Sequence, residues 1–127
     1  MMVHVSLAMA ATVTAAWDVL IDTQKWPQWG PSVRAVESSP RYLCAGSIGR
    51  VQAPLGVWLP FEVTEFEEGK SWAWKVAGVP TTTHAVENDP IGCKVTFGVP
   101  YLAAPYALIC RAALKRIERL ALDASIP

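Results

Sequence analysis

Histidine is scarce in this sequence, charge is sparse and evenly balanced, and cysteine occurs only in isolation. His4 and His84 are the two histidines, too few for a histidine-based metal set. Cys44, Cys93 and Cys110 lie far apart and form no Cys-x-x-Cys pair for zinc or dithiol chemistry. Such an odd, widely spaced set fits reduced thiols in a cytoplasmic protein, with Cys110 a small buried hydrophobe and not an activated nucleophile. Lys and Arg total 11, as do Asp and Glu, so no long-range field exists to attract a phosphate backbone. Nucleic acid is thereby excluded as an expected partner. A glycine-rich phosphate loop is lacking, as is any Ser/His/Asp order in a recognisable context. The acids Glu62, Glu65, Glu67 and Glu68 fall on an outward face or in a turn, where nothing raises a carboxyl pKa for general-acid work. No metal and no cofactor are expected.

Long hydrophobic runs are missing too. The stretch from Tyr101 to Ile109 is shorter than the ~20 residues a membrane-spanning helix needs. Met1 to Ala11 is apolar and ends in small residues, as a secretory leader does. It has no Lys or Arg before its apolar run, however, and Val3-His4-Val5-Ser6-Leu7 alternates like a half-buried strand, so it is expected to belong to the mature fold. What the chain does have is apolar substance: 52% of its 127 residues are hydrophobic and 17% charged. One domain over residues 1–127 is expected, burying roughly two-thirds of the surface of the unfolded chain.

The periodicity changes twice along the chain. Thr12 or Thr14 can cap a helix whose apolar positions Val13, Ala16, Trp17, Leu20 and Ile21 recur at three- and four-residue spacing. It runs into Trp26-Pro27-Gln28-Trp29, where Pro27 must begin or end a helical turn, so two short helices meet at a corner. Period-two alternation follows, cut by turn signals at Ser38-Ser39-Pro40, Pro54-Leu55-Gly56, Glu68-Gly69-Lys70 and Asn88-Asp89-Pro90. The expected strands are Val33 to Ser38, Ser47 to Gln52, Val57 to Phe66, Ser71 to Val76, Thr81 to Glu87 and Cys93 to Val99, seven with the first. A last helix starts near Pro105, with Tyr106, Ile109, Cys110, Ala113, Ile117, Leu120 and Ala121 on its apolar side. Arg111, Lys115, Arg116, Glu118 and Arg119 form a solvated face whose cations complement the helix dipole, and no stable membrane insertion is expected.

The run Trp17-x-x-Leu20-x-Asp22-x-x-x-Trp26-Pro27-x-Trp29 resembles the helix pair of the START-like (SRPBCC, Bet v 1-like) superfamily, in particular its polyketide cyclase/dehydrase and lipid-transport branch. The Pro60 to Phe66, Trp72-Ala73-Trp74 and Gly92 to Thr96 strands and the long last helix extend the resemblance from Val3 to about Leu122. It implies an α+β helix-grip fold: a seven-stranded curved antiparallel sheet wrapped around a long C-terminal helix, with two short helices between strands 1 and 2. It also implies a ligand space between sheet and helix.

With charged residues assumed to face water, alternation sorts the strands. Val57, Leu59, Phe61 and Val63 point inward, as do Trp72, Trp74 and Val76, then His84 and Val86, then Cys93, Val95, Phe97 and Val99. Arg50 is expected to point outward unless a bulge near Gly46 or Gly49 turns it into the cavity mouth. The expected ligand-binding set is therefore Phe61, Trp72, Trp74, His84, Val95, Phe97, Tyr106, Ile109, Cys110 and Ala113. It suits a small hydrophobic molecule with one or two hydrogen-bonding groups.

His84 admits two readings. It is either a polar anchor or general acid/base for a ligand carbonyl or hydroxyl, or a core histidine paired with a backbone carbonyl or with Tyr106. Three functions stay open accordingly: a binding module for a lipid- or polyketide-like molecule, a cofactor-independent polyketide cyclase/dehydratase using His84 with Tyr106 or Tyr101, and a protein-interaction domain related to chaperone activators. The sequence carries no sign of the oligomeric state.

Overall fold

The computed structural model describes residues 2–124. In chain order they form β1 (Met2–Met9), α1 (Val13–Ile21), a 3-10 turn (Thr23–Lys25), α2 (Trp26–Trp29), β2 (Ala35–Ser38), β3 (Ile48–Gln52), β4 (Trp58–Glu67), β5 (Ser71–Val76), β6 (Val79–Asp89), β7 (Gly92–Pro100), a second 3-10 segment (Tyr101–Tyr106) and α3 (Ala107–Ala124). The strands make one antiparallel sheet in the order β1-β7-β6-β5-β4-β3-β2. Six consecutive strands thus form a meander, and β1 closes its far edge by pairing with β7. α3 packs on α1, α2, β1 and β7, which completes the helix-grip arrangement. Its contacts put it over the β1–β7 side, while the inner faces of β3 to β6 extend beyond it.

The corner after α1 explains the tryptophan spacing. A helix leaves its last four carbonyls without intrahelical partners, and each of those in α1 is satisfied. The Asp18 carbonyl accepts from the Asp22 amide at 3.0 Å and the Ile21 carbonyl from the Leu43 amide at 2.9 Å. The Leu20 carbonyl accepts from Trp26 Nε1 at 2.9 Å and the Val19 carbonyl from Trp29 Nε1 at 3.1 Å. Two indoles three residues apart on one helical turn therefore reach back to two adjacent carbonyls. Asp22, 2% exposed, caps the intervening 3-10 turn through Gln24 N and takes the Arg41 guanidinium in a two-pronged bond of 2.7 and 2.8 Å. At the other end of α1, Thr12 Oγ1 accepts from the Ala15 amide.

Most inward assignments hold: Phe61, Val63, Trp72, His84, Val86, Cys93, Val95, Phe97 and Val99 are all buried. Arg50 points outward, paired with Glu37 and lying over the Trp58 ring. Four details differ from the sequence reading. Val57 lies in the turn before β4, where its carbonyl accepts from Ala53 N, and is 55% exposed rather than inward. A register shift between Val63 and Glu65 turns Phe66 back inward, against Trp17. β6 begins at Val79, not Thr81, because Ala77 and Gly78 make a two-residue hairpin with positive φ at both positions. In α3, Leu114 is buried although the expected stripe omitted it, whereas Ile109 sits at the edge of the packed face and is 38% exposed.

If the indole N–H groups cap α1 as described, Trp26→Phe and Trp29→Phe each leave a buried carbonyl unpaired. Each is expected to lose about 1–3 kcal/mol of stability. Urea denaturation checks this; a loss below about 0.5 kcal/mol in both variants would show that the caps contribute nothing beyond ring packing.

Candidate functional site

Because its N–H is tied to Leu20, the Trp26 ring is held over the sheet, where it meets Phe61, Trp72 and Trp74 at centroid distances of 5.5, 5.4 and 5.3 Å. Trp72 stacks nearly parallel to Trp26 and to His84, the latter at 3.9 Å. Trp29 and His84 both meet Phe97 edge-on, at 5.8 and 4.7 Å. The region under the short helices is thus a packed aromatic cluster.

Within it, His84 has a fixed hydrogen-bond role. An indole N–H can only donate, so Trp74 Nε1 donates to Thr82 Oγ1 at 3.2 Å. The Thr82 hydroxyl lies 2.9 Å from His84 Nε2 and donates its own proton there. His84 Nδ1 lies 3.4 Å from the Trp72 carbonyl, which only accepts, so Nδ1 carries the ring proton. Burial holds the imidazole pKa down at about 3, against a smaller opposing effect of the Trp72 carbonyl. His84 is therefore neutral over the physiological range with both nitrogens engaged, which matches the reading of a core histidine on a backbone carbonyl; its ring also borders a space.

That space is a small inner pocket of about 40 Å³. Of the expected site residues, Trp72, Trp74, His84, Phe97, Tyr106, Ile109, Cys110 and Ala113 line it, and Trp26, Trp29, Ser32 and Thr82 join them. Phe61 and Val95 do not: Phe61 is packed under Trp26 and Trp74, facing Gly49 across β3, and Val95 is fully buried in the core. A Cβ on Gly49 would come within 2.8 Å of the Phe61 ring, so glycine there makes room for it. Burial raises the Cys110 thiol to about 11 and raises the Tyr106 phenol, whose hydroxyl is hydrogen-bonded to Ser32.

A second, open groove of about 580 Å³ adjoins it, along the half of the sheet that α3 does not cover. Val51, Leu59, Val76, Thr81, Val99, Leu102 and Ala103 contribute to its walls, and Ser32, Val33, Trp74, Thr82 and Tyr106 are shared between groove and pocket. The Ser32–Tyr106 contact therefore stands at the boundary of the two. Tyr101 is 62% exposed and lines neither. Not one charged side chain among the described residues lines either space. Nor, among them, do three or more His, Cys, Asp or Glu side chains come together as a metal set.

The sequence reading missed Thr82 although it shares the parity of His84 and Val86, which placed it on the same face. Ser32 carried no signal, since loop residues obey no period. The groove was missed because its walls come from the ends of five strands.

A family model described as polyketide cyclase / dehydrase and lipid transport matches residues 2–124. No match was found among curated proteins. Among solved structures, protein MLL2253 from Mesorhizobium loti is similar over 100% of both chains, with TM-score 0.78 and 15% identity. Ara h 8.0201 is similar over 97% of this chain and 98% of its own, with TM-score 0.70 and 13% identity. The di-domain ARO/CYC StfQ from the steffimycin biosynthetic pathway is similar over 97% of this chain and 51% of its own, with TM-score 0.73 and 14% identity.

The depressed His84 pKa makes a measurable prediction. Below the ordinary 6.5 the unfolded chain binds a proton on His84 that the folded protein refuses until about pH 3. The associated stability is fully present above pH 6.5 and is lost progressively toward pH 3, at about 1.4 kcal/mol per pH unit. Asp22, lowered from 3.8 chiefly by its Arg41 hydrogen bonds, adds its own loss only at the acid end of this window. Denaturation midpoints between pH 6.5 and 4.5 should fall in the native protein and stay nearly flat in His84→Gln. Parallel profiles would contradict the buried neutral imidazole.

Proposed function

Since the chain belongs to the polyketide cyclase / dehydrase and lipid transport family, we propose that it is a binding protein for a small hydrophobic molecule held between the sheet and the 3-10 segment that leads into α3. The observation that carries this reading is the groove of about 580 Å³ walled by apolar side chains, a size within the usual range of small-molecule sites. The inner pocket extends it toward His84 and supplies its polar end. Among the described residues no helix is long and apolar enough to cross a membrane.

The family description and the likeness to StfQ favour a second reading, a polyketide cyclase or dehydratase with His84 as acid/base. The chemistry of His84 argues for the carrier. A base with a pKa near 3 is poorly matched to proton transfer at neutral pH, and its Nε2 lone pair is occupied by Thr82. Cys110, pushed up to about 11, offers no thiolate. A cyclase could still act by folding its substrate alone.

Native mass spectrometry of the purified protein, with extraction of any bound apolar compound, tests the binding reading. The groove itself is tested by Ala103→Trp, which adds an indole at its exposed wall. The variant is expected to stay folded and bind an environment-sensitive apolar dye at least tenfold more weakly; unchanged binding would place the dye elsewhere. His84→Gln is expected to weaken ligand binding about tenfold or less. Retained affinity with a ~100-fold loss of turnover on a polyketide substrate would instead establish the cyclase.

A further inference from the structure

We propose that the site selects an uncharged ligand carrying a hydrogen-bond-accepting oxygen, and that the Trp72 indole N–H at the inner pocket is the group that recognises it. This inference rests on the binding reading above and specifies its ligand class.

Three observations converge. Trp72 lines the inner pocket, and its Nε1 is buried with no hydrogen-bond partner in the structure. A buried donor left unpaired is costly, so a ligand that satisfies it gains more than an ordinary polar contact. The indole stacks nearly parallel to both Trp26 and His84, which holds the ring and its N–H in place at the pocket wall. The neighbouring polar groups are already committed: Trp74 N–H to Thr82, Thr82 to His84, and His84 to the Trp72 carbonyl. Trp72 N–H can only donate, so its partner must accept through a carbonyl, ether or hydroxyl oxygen.

Volume and charge then define the rest of the molecule. About 40 Å³ admits an oxygen-bearing head but not a ring system, whose place is the groove of about 580 Å³. A carboxylate would also present acceptor oxygens. With no cation among the described residues of either wall, however, its charge would be desolvated without compensation, so it enters only in its protonated form.

Three naphthalenes of one skeleton test this: 2-acetylnaphthalene, 2-isopropylnaphthalene and 2-naphthoate, with affinities measured by equilibrium dialysis. The ketone is expected to bind at least 100-fold more tightly than the carboxylate at pH 7.5. Carboxylate affinity should rise about tenfold per pH unit from pH 8 to 6.5 as the acid form takes its place. In Trp72→Phe the ketone-to-hydrocarbon affinity ratio should fall about tenfold while hydrocarbon binding is kept. Should that variant fail to fold, the Trp72 side-chain N–H resonance of the ¹⁵N-tryptophan-labelled native protein decides, moving downfield with the ketone and not with the hydrocarbon. A carboxylate bound within threefold of the ketone overturns the charge selection. An unchanged ratio, or an indole resonance indifferent to the ketone, overturns the role of Trp72. In these cases probe binding persists and the binding reading stands; if none of the three binds, both fall.

Discussion

The end of α1 is the constraint on which the site depends. A nine-residue helix that stops inside the protein must find partners for its last carbonyls, and Trp26 and Trp29 provide two of them. The hydrogen bonds fix where both indoles can lie. Trp26 is thereby laid against Trp72, Trp72 against His84, and Trp29 against Phe97, so a backbone requirement at a helix end orders an aromatic cluster on the sheet. Asp22 and Arg41 hold the same corner from outside by tying the 3-10 turn to the segment before β3.

Filling one end of the concave face with tryptophan displaces the open volume to the other. α3 meets α1, α2, β1 and β7, and the ends of β3 to β6, with the end of β7, form the groove. Polar groups gather toward one end: the hydroxyls of Ser32, Tyr106 and Thr82 stand where groove and pocket meet, and His84 lies in the inner pocket. Burial keeps the titratable groups at the inner end uncharged, His84 by lowering its pKa and Cys110 and Tyr106 by raising theirs. Near neutral pH the side chains of His84, Cys110 and Tyr106 are therefore all uncharged.

Packing also accounts for how far the fold is shared by unlike sequences. A backbone match over the full length of a chain at 15% identity means that pattern, not particular residues, is retained. The Trp-Pro-x-Trp corner is a local solution to one requirement of that pattern.

The sequence by itself determined the order of elements and the inward face of nearly every strand, because period-two alternation and turn residues act locally: Trp72, His84, Val95 and Phe97 needed no partner to declare their side. It left Arg50 open between the outer face and the cavity mouth, and the structure puts it outside, paired with Glu37 and over the Trp58 ring. Tertiary structure alone decided which inward residues meet empty space. Phe61 and Val95 obey the same alternation as Trp74, yet both are buried in the core, Phe61 against the Trp26 indole, while Trp74 borders both spaces. It decided too that Ser32 meets Tyr106, that Thr82 engages His84, and that the Trp72 N–H is left without a partner. These depend on where five strand ends and two helix junctions come together. Hydrophobic pattern sets which side a residue takes, but the remaining volume is the difference between what the sheet encloses and what distant side chains fill.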